Sequence, residues 1–156
     1  MRVAAILSVL CLLPHHAFAQ AQSKGCFSKA EEAAERLVRQ GLRLREGARG
    51  CDGSPWNMQT QSMWVDIDRR FGPRFADQTR IRQAAFQREF ADDADNRLAV
   101  WNGRIVFHFR YYPLSETYCA GIKDLMSQMQ KRGWSALTAQ ANKATVEVKM
   151  DYRLCE

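Results

Sequence analysis

The chain has 156 residues, 46% of them hydrophobic and 26% charged, and a formal charge of +6 at pH 7, enough for one domain with a single core and too little for two. Past the first residues no hydrophobic stretch is long enough to cross a bilayer, and the positive balance favours anionic partners. An exported chain without a binding motif for nucleic acid is a poor candidate for that partner class.

The chain opens MRVAAILSVLCLLPHHAFA, with Arg2 before an apolar run from Val3 to Leu13, then Pro14 and small residues at Ala17 and Ala19. This is the layout of a cleavable secretory signal over residues 1–19, leaving one exported, periplasmic or secreted domain over 20–156. Cys11 follows the bulky Leu10, which disfavours lipidation. Loss of Arg2 takes the formal charge from +6 to +5. Cys26, Cys51, Cys119 and Cys155 remain, and an even number in an oxidising compartment reads as two disulfides. With no Cys-x-x-Cys, the sequence lends no support to thiol redox catalysis, a zinc ribbon or covalent haem, and no cofactor is implied.

Ser28 and Glu31 have capping-box spacing, and Ala30, Ala34, Leu37, Val38, Gly41 and Leu42 recur at helical intervals. The spacing predicts a helix to about Glu46, ended by Gly47 and Gly50, with Gly41 as its weak point at about 1 kcal/mol against alanine. A continuous helix would be roughly 28 Å long and would exclude a Cys26–Cys51 bridge, so both bridges would run to Cys119 and Cys155. A break at Gly41 would lift that exclusion. Ser54-Pro55 opens a second helix carrying Trp56, Met63, Trp64, Ile67 and Phe71, stopped by Gly72-Pro73. A third helix is expected from Arg74 to Phe90.

The period then changes. Asn102-Gly103 between apolar runs is a strong hairpin signal, placing Leu98, Val100, Ile105, Phe107, Phe109 and Tyr111 on a buried sheet face. Ser115 and Glu116 open a fourth helix ending at Gly133, and Ser135 caps a short turn through about Asn142. From Ala144 to Leu154 strict alternation predicts a strand. The expected fold class is α+β, with amphipathic helices packed on one face of a small antiparallel sheet made of the hairpin and the C-terminal strand, held by two disulfides.

The outer face of that sheet would carry Arg97, Trp101, Arg104, His108, Arg110 and Tyr112, the arginine and aromatic side chains that recognition surfaces use. It is the candidate binding site, with Asp95 expected to pair with Arg110. The expected function is a binding protein, without catalysis, for an acidic protein or an anionic envelope component such as lipopolysaccharide or phospholipid headgroups. One alternative is a small hydrolase or lyase using His108, the only histidine outside the signal, although no nucleophile elbow accompanies it. Another is metal handling by Glu89, Asp92, Asp93 and Asp95 or by Met126 and Met129. Against it, ADDADNR lacks the calcium-loop pattern and methionines three apart on a helix fill cores.

Overall fold

The computed structural model describes residues 26–143 and 152–155. The expected signal and residues 144–151 of the expected C-terminal strand lie outside them. In chain order the elements are β1 (Cys26–Phe27), α1 (Lys29–Asp52), α2 (Thr60–Phe90), a 3-10 turn (Ala91–Asp93), α3 (Ala94–Arg110), α4 (Glu116–Arg132), α5 (Trp134–Lys143) and β2 (Arg153–Leu154).

Ser28 accepts from Glu31 N while Ser28 N donates to Glu31 Oε2, so α1 starts at the capping box read from the sequence. It does not stop at Gly47 or Gly50 but runs to Asp52. A Cβ on Gly47 would lie 2.8 Å from Ile122 Cδ1, so the glycine is kept for the close approach of α4. Gly41 has the same role. Its Cβ would stand 2.6 Å from Phe75 Cε1, and the ring is wedged between Trp64 and Trp134. Gly41→Ala should therefore destabilise the fold by about 1–3 kcal/mol from overpacking, against the roughly 1 kcal/mol that helix propensity would return. A urea melt in which Gly41→Ala is as stable as wild type would refute the wedge.

α1 and α2 are antiparallel: Ala48 O accepts from Thr60 Oγ1 at 2.8 Å, Gly41 faces Phe75, and Glu35 meets Arg82. The turn between them follows from Gly53 O accepting from Trp56 N and Asn57 N, so Pro55 lies in a loop and does not start a helix. Asp52 Oδ1 takes the Gln61 N–H at 3.3 Å and caps α2 from across that turn.

The expected stop at Gly72-Pro73 is not observed; α2 passes straight through Pro73. An interior proline forfeits a hydrogen bond at about 3 kcal/mol, and tertiary packing on both sides of it offsets that loss. Before it, Ile67 and Phe71 join Leu44, Ile122, Met126, Met129 and Leu137 in one core cluster. Beyond it, Ala85 and Phe86 join Phe27, Trp101, Ile105 and Phe109 in a second.

The antiparallel hairpin is absent. Residues 94–110 form α3, and Ala94, Trp101, Ile105 and Phe109 bury one helical face. Asn102 is not a turn residue: its Oδ1 accepts from Arg82 Nη2 at 2.5 Å. Trp101, expected on the outer sheet face, is buried with its indole Nε1 donating to Glu35 Oε1 at 3.0 Å. Val100, Phe107 and Tyr111, expected in the core, are exposed.

Among the described residues the sheet consists of two short strands paired in parallel, Cys26 against Arg153 and Phe27 against Leu154, with Cys155 N donating to Phe27 O at 2.8 Å. The disulfides are Cys26–Cys155 and Cys51–Cys119. Both tie the N-terminal part to the second half, as a continuous α1 requires. Tyr152 completes the second cluster against Phe27, Phe86 and Phe90. The arrangement is a helical bundle with a two-strand clasp, not an α+β sandwich.

Candidate functional site

The outward side of α3 is where exposed apolar surface collects. Helical spacing of 100° per residue puts Val100, Phe107 and Tyr111, at the end of the helix, within about 40° of arc. They are 57%, 66% and 67% exposed, and Phe107 and Tyr111 lean on each other with centroids 4.6 Å apart. Gly103 on the same side has no atom within 4 Å of a Cβ position, so the ridge borders an open shelf. A hollow of about 650 Å³ lies here, lined by Gly103, Arg104, Phe107, His108 and Tyr111.

His108 links this hollow to a second. Its ring meets Tyr112 at 5.6 Å, Tyr112 stacks on Tyr118 at 4.8 Å, and Arg43 lies over Tyr118 at 5.5 Å. Tyr112, Tyr118, Arg43 and Leu114 line about 640 Å³ between the end of α3 and the start of α4. Ser115 accepts from Tyr118 N at 3.1 Å and caps α4 as its sequence indicates.

Beside the ridge, three arginines converge on one carboxylate. Glu46 is buried in α1, and Arg45 reaches Oε1 at 2.8 Å, Arg110 Oε2 at 3.0 Å and Arg49 Oε2 at 4.0 Å. The arginine side chains are 42%, 48% and 62% exposed, so these four residues present a surplus of two positive charges to solvent. Leu114 packs against Gly50, one residue after Arg49, which brings the loop beyond Tyr111 to this cluster.

Burial opposes ionisation of Glu46, but the hydrogen bonds and charges of Arg110 and Arg45 outweigh it and hold the carboxyl below its usual range. Glu31, held by Arg88 and the Ser28 cap against a similar burial penalty, is also lowered. A carboxylate whose folded pKa lies below its unfolded one stabilises fully above the unfolded value and less as pH falls toward the folded one. Thermal stability should therefore drop as pH falls below about 4.5, and Glu46→Gln should flatten that dependence. Parallel melting curves for the two proteins between pH 7 and about 3 would show that Glu46 contributes nothing to it.

The expected binding residues separate. Arg97 donates from Nε to Asp93 Oδ2 at 2.7 Å and covers the Phe90 ring. Arg104 lies over the Trp101 ring at 5.2 Å on the outer side, and Arg110 pairs with Glu46, not Asp95. Trp101 has gone inside, and His108 and Tyr112 are half-buried in the aromatic joint. Among the described residues, His108 Nε2 has no hydrogen-bond partner, and the ring makes edge contacts with the rings of Phe109 and Tyr112. Met126 and Met129 are fully buried core. No group of three or more His, Cys, Asp or Glu is placed to hold a metal among the described residues.

Strand alternation hid Val100, Phe107 and Tyr111. The signal that would have found them is the spacing of Ala94, Leu98, Trp101, Ile105 and Phe109, which follows a helical face at steps of four, three, four and four. Once those five face inward, 100, 107 and 111 must face out. Comparison with known proteins gives no match to a family model, a curated protein or a solved structure.

Proposed function

We propose that this is a small disulfide-stapled binding protein, exported to the periplasm or beyond, that captures an acidic protein or an anionic envelope component without catalysis. The observation that carries the reading is the ridge of Val100, Phe107 and Tyr111 standing beside the arginines on Glu46. Contiguous exposed apolar side chains with arginine at their margin are the composition of interaction surfaces. The net positive charge steers anionic partners toward them.

Tagged protein incubated with native envelope extract should retain an anionic component that salt releases. Phe107→Ser with Arg49→Ser should lose about tenfold of it, the scale of one or two anchor contacts. Equal retention by both forms, or none by wild type, would overturn the reading. The hydrolase alternative needs a nucleophile next to His108, and the hollow that His108 lines is bordered by Gly103, Arg104, Phe107 and Tyr111 among the described residues. The metal alternative needs a ligand cluster; among the described residues no three His, Cys, Asp or Glu side chains are grouped to form one, and Asp93 and Glu89 of the acidic segment pair with Arg97 and Arg88.

A further inference from the structure

We infer, resting on the binding surface proposed above, that its anionic partner is the headgroup layer of a lipid bilayer, on which α3 lies flat with Phe107 and Tyr111 inserted and Arg49 and Arg110 on phosphates. The first ground is shape. Among the described residues, the hollow beside the ridge is lined by α3 and the residue that follows it, with no second element as an opposing wall. Tight protein partners draw their affinity from desolvated pockets that enclose an anchor. A convex ridge without such a wall suits a soft surface that closes around it.

The second ground is chemistry. Phe and Tyr sit well at the membrane–water boundary, where the tyrosine ring is buried and its hydroxyl stays wet. An interfacial helix needs an apolar stripe flanked by basic residues. The stripe from Val100 to Tyr111 is about 16 Å long, with Arg104 at one margin and Arg110 about 60° beyond Phe107 at the other. Arg110 carries its fixed charge in the last turn and uses Nε on Glu46, and a guanidinium has five N–H groups to share. Arg49, 62% exposed, is held only at 4.0 Å. Long arginine stems let the charges reach phosphates while the rings enter below them.

The third ground is charge complementarity. α3 contains Arg97, Arg104 and Arg110 against Asp95, with Asp93 at its start paired to Arg97, and Arg45 and Arg49 outnumber Glu46 by one further positive charge at the end where Arg110 lies. An anionic leaflet attracts such a face over about a Debye length.

The test is co-sedimentation of the disulfide-intact protein with large vesicles of phosphatidylcholine alone and of phosphatidylcholine with about one quarter phosphatidylglycerol. Binding should be at least about tenfold stronger to the anionic vesicles and weaken as salt rises. Phe107→Ser/Tyr111→Ser, both outward-facing and checked for an unchanged melting temperature, should lose about tenfold. Arg49→Ser alone should lose a smaller factor and reduce the salt dependence. Anionic binding unaffected by the aromatic pair would overturn insertion. A polyglutamate resin run in parallel separates the two levels of inference. Retention on the resin with no vesicle binding overturns the lipid assignment and leaves a binding surface for acidic protein, whereas no binding to either overturns both.

Discussion

Glu35→Ala should lower the unfolding free energy by about 3–5 kcal/mol, the penalty for stripping one partner from a buried ion pair. Glu35 is 1% exposed and accepts from Arg82 Nη1 at 3.1 Å, Arg39 Nη2 at 3.3 Å and Trp101 Nε1 at 3.0 Å. One carboxylate thus joins α1 to α2 and α3, and without it the 2%-exposed Arg82 keeps a charge inside the bundle with only Asn102 to face. Domains of this size are stable by about 5–15 kcal/mol, so the variant should be marginal at 37 °C. Glu35→Gln preserves an acceptor for Trp101 while removing the charge, and should fall between alanine and wild type. Combining Glu35→Gln with Arg82→Met should cost less than the two single losses added, because the second change removes the charge stranded by the first. Urea denaturation of the set decides it. A loss below about 1 kcal/mol for Glu35→Ala would mean that the network contributes almost nothing.

Cys51→Ser/Cys119→Ser should cost about 4 kcal/mol by the chain-entropy relation for a separation of 68 residues. Cys26→Ser/Cys155→Ser, spanning 129 residues, has a ceiling of about 5 kcal/mol on the same relation. The two losses should differ in kind. Cys51 and Cys119 are both fully buried, at the end of α1 and in the first turn of α4, so that bridge fixes the packing of α4 on the first core cluster. Cys26–Cys155 closes the clasp that holds Phe27 and Tyr152 against Phe86. Its loss should release Tyr152, with tyrosine fluorescence and near-ultraviolet dichroism changing before the helices melt. If adding reductant leaves the urea midpoint unmoved, neither bridge contributes to stability.

The start of α1 and both ends of α4 were legible because their signals are local. A serine before a helical run satisfies a free N–H whatever lies around it, and Gly133 stops α4 with φ of 75° at no steric penalty. The exclusion of a Cys26–Cys51 bridge was legible too once α1 is continuous, since a helix of 24 residues is about 36 Å long, but which of the two pairs with Cys119 and which with Cys155 was not. The candidate site was legible only in its arginines. Arg104 and Arg110 face outward in either reading, but the aromatic residues beside them exchange sides when the period changes from two to 3.6.

The amino-acid sequence by itself determined the presence of two disulfides, the caps of α1 and α4, the basic balance and the polar–apolar rhythm of those two helices. Tertiary structure decided three things that local signals contradicted. Pro73 stays inside α2 because the two core clusters on either side of it bury more than its missing hydrogen bond loses. Asn102-Gly103 stays helical because Asn102 serves Arg82 and Trp101 serves Glu35, partners 20 and 66 residues away in the chain. β2 pairs with Cys26 and Phe27 at the other end of the described chain, a partner that no local signal indicates, and the Cys26–Cys155 disulfide, spanning 129 residues, closes it. Turn and breaker propensities amount to about 1–3 kcal/mol, and a buried carboxylate shared by three helices or a continuous core outweighs them.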